Sequence, residues 1–147
     1  MMRISSRVAL SLVLLGALGS SVTRDAAGQM MHGDHNPRHG GYVLMYGEDL
    51  HYEIVVIRHA RVQIWLSGPM RGPLAPAIIA DVGVEIERAD KGRETIKMSV
   101  DHAGRCWEGI ARKGVNADAT LLLAFSYRSN PVRVALPVAD LVAHGSV

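Results

Sequence analysis

The sequence predicts an all-β fold, an antiparallel β-sandwich of immunoglobulin-like type with about seven to eight short strands. Three observations lead there. Apolar and polar residues alternate with a period of two over most of residues 42 to 138. Clusters of Gly, Pro, Asn and Asp separate the alternating runs, and no segment combines a helical apolar period with capping signals. A partly open barrel is the second architecture that fits this pattern.

Tyr42–Tyr46 reads as the first strand, closed by the Gly47-Glu48-Asp49 turn. In the second, Leu50, Tyr52, Ile54 and Val56 alternate with His51, Glu53, Val55 and Ile57. The short Arg58-His59-Ala60-Arg61 link predicts a hairpin into a third run carrying Val62, Ile64 and Leu66. From Ile78 to Glu87, Ala80, Val82, Val84 and Ile86 share one face, and Asp81, Gly83, Glu85 and Glu87 the other. One face is therefore expected to be buried and the other wet. The turn at Asp90-Lys91-Gly92 leads to Thr95–Val100, with Ile96, Met98 and Val100 as inward candidates. After Asp101-His102-Ala103-Gly104 a strand is expected over Cys106–Arg112. Thr120–Tyr127 carries Leu121, Leu123, Phe125 and Tyr127 in step, and Ser129-Asn130-Pro131 turns the chain into Val132–Val138. Val138–His144 has room for one helical turn. The expected core comprises Ile54, Val62, Ile64, Val82, Val84, Ile86, Leu123, Phe125 and Val134.

Residues 1–28 are expected to be a secretory signal peptide. Arg3 and Arg7 precede an apolar run from Val8 to Leu18, after which small residues take over. That run falls short of the roughly 20 residues a membrane-spanning helix needs. Cleavage after Ser21 and after Gly28 both satisfy the small-x-small rule. Export implies a periplasmic or secreted protein that meets the membrane only through the leader before cleavage. Residues 29–41 then form a flexible His- and Gly-rich arm, 42–140 the sandwich, and 141–147 a C-terminal tail.

The 147-residue chain carries a formal charge of +2, but Arg3, Arg7 and Arg24 lie in or beside the leader against Asp25 alone. From Met30 onward 13 basic residues face 13 acidic ones, so no basic stripe remains to hold nucleic acid. Cys106 is the sole cysteine, which excludes an internal disulfide. Nucleophile-elbow, P-loop, dinucleotide and H-E-x-x-H signatures are absent, so the sequence does not read as an enzyme. Cys106 is expected to be a small buried hydrophobe, with copper ligation beside His102 as the alternative. Trp65 and Trp107 are expected to be packing or rim residues.

Histidine is what stands out. Four of the seven histidines, His32, His35, His39 and His51, crowd into a short stretch after Gln29, and the first three are spaced H-x2-H-x3-H. Imidazole suits copper, zinc and nickel, and Met30, Met31, Met45 and Met70 add thioethers that favour Cu(I). His51 and Glu53, at i and i+2 of one strand, share a face. A hairpin between the first two strands brings His39 toward them, with the register deciding whether it meets Glu53 directly. An ordinary polar pair on a wet sheet face is the alternative reading of His51 and Glu53.

The string HGGYVLMYGEDLHYEIVV, followed by RVQIWLSGPMRGPL, resembles a pattern of small exported proteins and of the β-domain of heavy-metal efflux periplasmic adaptor subunits. There a His-Gly-Gly opens the β-domain, and a later strand carries His/Phe-x-Glu-aliphatic. The likeness spans residues 39–75 and implies periplasmic metal handling, with His39, His51 and Glu53 as the positions to watch. The long His/Met-rich tract, helical hairpin and lipoyl-like segments of complete adaptors are missing from this sequence.

The expectation is an exported transition-metal-binding protein, with copper ahead of zinc or nickel, accessory to heavy-metal efflux or homeostasis. His39, His51 and Glu53 would lie within one ion's reach, with His35 or His32 folding in from the arm. Its partners would be the metal ion and a metal-efflux or envelope protein. The competing expectation is a structural or protein-interaction β-sandwich module of the cell envelope with incidental histidines.

Overall fold

The computed structural model describes residues 35–142. The expected leader, His32, Met30, Met31 and the end of the C-terminal tail lie outside those residues. Within them nine strands follow in order: β1 (Tyr42–Tyr46), β2 (Leu50–Ile57), β3 (Arg61–Ser67), β4 (Ile79–Glu87), β5 (Arg93–Ile96), β6 (Ser99–Val100), β7 (Trp107–Ile110), β8 (Thr120–Tyr127) and β9 (Asn130–Pro137). A short 3-10 turn, Pro76–Ile78, precedes β4, and one helical turn, α1 (Val138–Val142), follows β9.

Two antiparallel sheets result, in the orders β1-β2-β3-β7-β6 and β5-β4-β8-β9. The β-sandwich read from the sequence is therefore the architecture of the chain. Short turns explain the meander β1-β2-β3, since each connection spans only three residues. The two sheets bury the alternating faces against each other: Leu50, Ile54, Val62, Ile64, Val84, Ile86 and Leu121 are fully enclosed. Replacing one of these larger side chains by Ala costs about 2–5 kcal/mol. Prolines guard the edge strand β9, where Pro131 and Pro137 interrupt the row of free amides.

Four details depart from the sequence reading. In β4 the pairing with β8 slips between Ala80 and Gly83, and Asp81 sits at φ +54°. This bulge exchanges the faces, so that Ile79 rather than Ala80 enters the core and Val82 is only half-buried. Val134 is likewise only partly covered. The Thr95–Val100 run is split into β5 and β6, leaving Ile96 inward and Val100 exposed. At the C-terminal end Val138 and Leu141 are fully buried, so the packed domain extends past residue 140 into α1, which packs on β2 and β9.

The outer face of β2 positions the candidate site residues. Seven of its eight residues are buried, including the outward His51 and Glu53 at 2% and 4% exposure. A polar pair on a wet sheet face is the alternative reading of these two in the sequence. It does not hold, because residues 35–41 cross over β2 and bond to it instead of remaining a free arm.

Candidate functional site

β1 and β2 pair with Tyr42 opposite Ile54 and Tyr46 opposite Leu50. Extended by one residue, this register sets Gly41 across from Val55 where the arm enters β1, and its N–H reaches the carboxylate of Glu53, two residues away on the same face. Glu53 then gathers the arm around its carboxylate. Oε1 accepts the backbone N–H of His39 at 2.8 Å and of Gly41 at 2.9 Å. Oε2 accepts the backbone N–H of Arg38 and the Nδ1–H of His39, both at 3.0 Å. Four donors match the roughly four lone-pair positions of a carboxylate, so its acceptor capacity is filled. Burial by itself raises the Glu53 carboxyl, yet the Gly41, His39 and Arg38 bonds outweigh it and hold the group below its ordinary value.

The His-Gly-Gly string is the part that makes this clasp possible. Gly40 adopts φ +78°, a left-handed conformation that favours glycine. A Cβ on Gly41 would lie 2.2 Å from the Ile54 carbonyl oxygen, so no larger residue fits without moving β2. The His39 ring completes the clasp by stacking on Trp65, centroids 3.8 Å apart and planes 9° from parallel. His39 and Glu53 thus meet, as the hairpin allowed, and both are engaged in fastening the arm.

His51 faces a different set of groups. Its Nδ1 lies 3.1 Å from the Gly68 carbonyl oxygen. A carbonyl only accepts, so Nδ1 carries the proton and Nε2 of the neutral ring carries the lone pair. That Nε2 is buried and has no hydrogen-bond partner among the described residues. Burial is the main cause that lowers the His51 pKa from its usual value, and the charge of Arg71 adds to it. The His35 ring lies 5.7 Å from the His51 ring, tilted by 45°. Directly across the β1–β2 ladder stands Met45. Its neighbours Leu44 and Tyr46 pack on the core, so Met45 shares the outer face with His51. Facing cross-strand residues have Cβ atoms about 4.5–5.5 Å apart.

The predicted site residues therefore fall into two groups, His39 with Glu53 and His35 with His51, while His32 lies outside the described residues. Among the described residues no group of three or more His, Cys, Asp or Glu side chains is gathered closely enough to hold a metal ion. Cys106 is fully buried, and burial first, with Asp101 and Glu108 nearby, pushes its thiol up to about 11. It is the protonated apolar filler expected of it, whereas His102 is exposed on the preceding turn.

Sequence reasoning missed Arg71. This residue sits at φ +61° in the turn closed by Gly68 N–H to Gly72 O and Arg71 N–H to Gly68 O, both 2.9 Å. It is only 5% exposed. Nη2 donates to the Asn36 carbonyl at 3.0 Å, but Nε and Nη1 are buried without partners among the described residues. The signal was an arginine bracketed by Gly-Pro on both sides, a composition that reads as an exposed turn until the arm is seen to cover it.

A cleft of about 470 Å³ opens beside these residues, between the arm, the end of β3, the loop after it and the 104–105 turn. Comparison with family models, curated proteins and solved structures gave no match.

Proposed function

We propose that this protein is an exported transition-metal-binding module that takes up Cu(I) at His51, with His35 and Met45 as the other donors within reach. One observation carries the reading: the Nε2 lone pair of His51 is buried, without a partner among the described residues, and fixed in orientation by the Gly68 carbonyl. Such a carbonyl bond on the far nitrogen is the usual support of a metal-ligating imidazole. Two imidazoles on one ion, with metal–nitrogen bonds near 2.0–2.1 Å, have ring centres about 5–6 Å apart. The 5.7 Å between His35 and His51 fits that spacing.

Two features favour copper(I) over zinc or nickel. A thioether is a soft donor that zinc and nickel seldom take, and Met45 is the cross-strand neighbour of His51. The Arg71 charge that acts on His51 also repels an incoming cation, and a monovalent ion feels about half the repulsion of a divalent one. Periplasmic or secreted location, and service to heavy-metal efflux or homeostasis beside an envelope partner, complete the reading. They rest on the leader-like N-terminus and on the likeness of residues 39–75 to efflux adaptor β-domains.

The test is competition of the full chain with a chromophoric Cu(I) chelator, alongside titrations with Cu(II) and Zn(II). The expected result is one Cu(I) per chain. His51→Ala should weaken it at least about 100-fold and Met45→Leu about 10-fold, while His39→Ala leaves it nearly unchanged, since metal-site contacts commonly carry effects of 10- to 100-fold. No stoichiometric binding of any of the three ions below about 10 μM, or an unaltered His51→Ala, overturns it. The conclusion then passes to a structural or protein-interaction module of the envelope, a reading favoured by the full use of His39 and Glu53 in fastening the arm.

A further inference from the structure

The geometry points to a second site, which does not rest on the metal reading although Arg71 also acts on His51: the cleft over Trp65 and Arg71 binds a small organic carboxylate. Three arginines line the cleft, Arg38, Arg71 and Arg105, against one carboxylate, Glu53, whose acceptor positions are all occupied by the arm. Arg105 is partly neutralised by Asp101 at 3.2 Å, and the Arg38 guanidinium donates to the Arg71 carbonyl. Arg71 is different. It is 95% buried, and neither Nε nor either proton-bearing side of Nη1 has an acceptor among the described residues.

A buried guanidinium with unused N–H groups is costly, because its protons have left water without replacement partners. Arg71 lines the cleft, and although its Nε and Nη1 are covered from solvent, a small turn of the guanidinium toward an entering anion supplies both the missing acceptors and the missing charge; hydrogen bonds between ions are the strong ones. The rest of the lining decides what the anion is attached to. Leu66, Pro73 and Leu74 give an apolar wall, and Trp65 adds an aromatic ring to the lining. A free inorganic ion would leave that wall wet, whereas an anion on an apolar or aromatic body covers it. The volume of about 470 Å³ lies within the range of small-molecule sites. Arg105, 5.7 Å from the Trp65 ring, sits at the mouth and can meet the ligand's outer edge.

The experiment is a proton–nitrogen NMR titration of the full chain with benzoate, with benzamide as the neutral isostere and acetate as the anion without a body. Metal is removed beforehand by a chelating resin, because soluble polycarboxylate chelators would compete. The expected result is saturable binding of benzoate at millimolar concentration or below, shifting the Arg71 Nε–H and Trp65 indole N–H signals together. Acetate should bind at least tenfold more weakly and benzamide not measurably. Arg71→Lys, which retains charge but not the fixed fork of donors, should weaken benzoate about tenfold. Arg105→Met lies on the exposed rim, does not threaten the fold, and should weaken it about threefold. Benzamide binding as well as benzoate, no saturation by 10-fold above the millimolar range, or an Arg105→Met and Arg71→Lys pair both at wild-type affinity would overturn the assignment. Copper binding to the same preparation reports separately on the His51 reading.

Discussion

Glu53 holds His39 twice, taking the backbone N–H at 2.8 Å through one oxygen and the ring Nδ1–H at 3.0 Å through the other. An ionised carboxylate cannot donate, so this contact fixes the His39 tautomer as well as its position. The arm is thereby part of the fold before any ligand is considered.

Glu53→Ala should release residues 35–41. Hydrogen bonds to a charged group are worth about 1.5–3 kcal/mol each, but the freed amides regain water, so a net loss of about 2–4 kcal/mol is expected. Denaturant unfolding gives the total. Hydrogen exchange should show the Arg38, His39 and Gly41 amides losing protection while β8 keeps its own. A loss below about 0.5 kcal/mol would mean that the arm stays docked by the His39–Trp65 stack alone.

The two glycines of the clasp should differ in sensitivity. Gly40→Ala forces an alanine into a left-handed conformation at φ +78°, for which about 1–2 kcal/mol is expected. Gly41→Ala drives a methyl to within 2.2 Å of the Ile54 carbonyl oxygen. Overpacking against backbone that cannot rotate away should cost at least about 2 kcal/mol. The reverse order in equilibrium unfolding would contradict this account of the motif.

Acid lability should follow from carboxyls held below their ordinary value. Glu94 is the one to isolate: the Arg112 amide chiefly, then the Arg88 guanidinium at 2.6 Å and the Lys113 amide, keep it ionised. Its folded-state pKa is depressed, so its contribution is complete above the ordinary 4.5 and vanishes as pH falls through the lower folded value. In metal-free protein, Glu94→Gln should lower stability at pH 7 and flatten the decline below pH about 4.5. Parallel stability curves for the two proteins down to acid pH would show that Glu94 is not linked to folding.

Cys106 should be silent toward thiol reagents. With full burial and a thiol near 11, its thiolate fraction at pH 8 is about one in a thousand. Labelling by a disulfide reagent should be complete in denaturant within minutes and slower by orders of magnitude in the native protein. Rapid native labelling would mean that β7 opens readily.

Much of the fold was legible because alternation marks strands wherever one face is buried and the other is not. Ile54, Val84 and Phe125 were visible in that way. The β4 bulge was not, since Ala80, Val82 and Val84 continue the alternation smoothly through the very residues where the backbone slips. The meeting of His39 with Glu53 followed from hairpin geometry. What Glu53 does there did not, because three of its four partners are main-chain amides, which every residue but proline possesses and no sequence pattern reveals. His51 and Arg71 were hidden by a shared cause. Their burial depends on the arm and the 68–76 turn folding over the sheet, and neither segment carries an apolar period to announce it.

The amides of Arg38, His39 and Gly41 converge as they would on a bound anion, and the protein fills that nest with its own side chain. Truncating the side chain at position 53 would leave a vacancy of one carboxylate, lined by donors already aimed inward. Formate or acetate supplied from solution could then take its place and restore the docked arm, much as a small amine can substitute for a deleted lysine. Chemical rescue of this kind would separate the loss of a charge from damage to the strand that bore it.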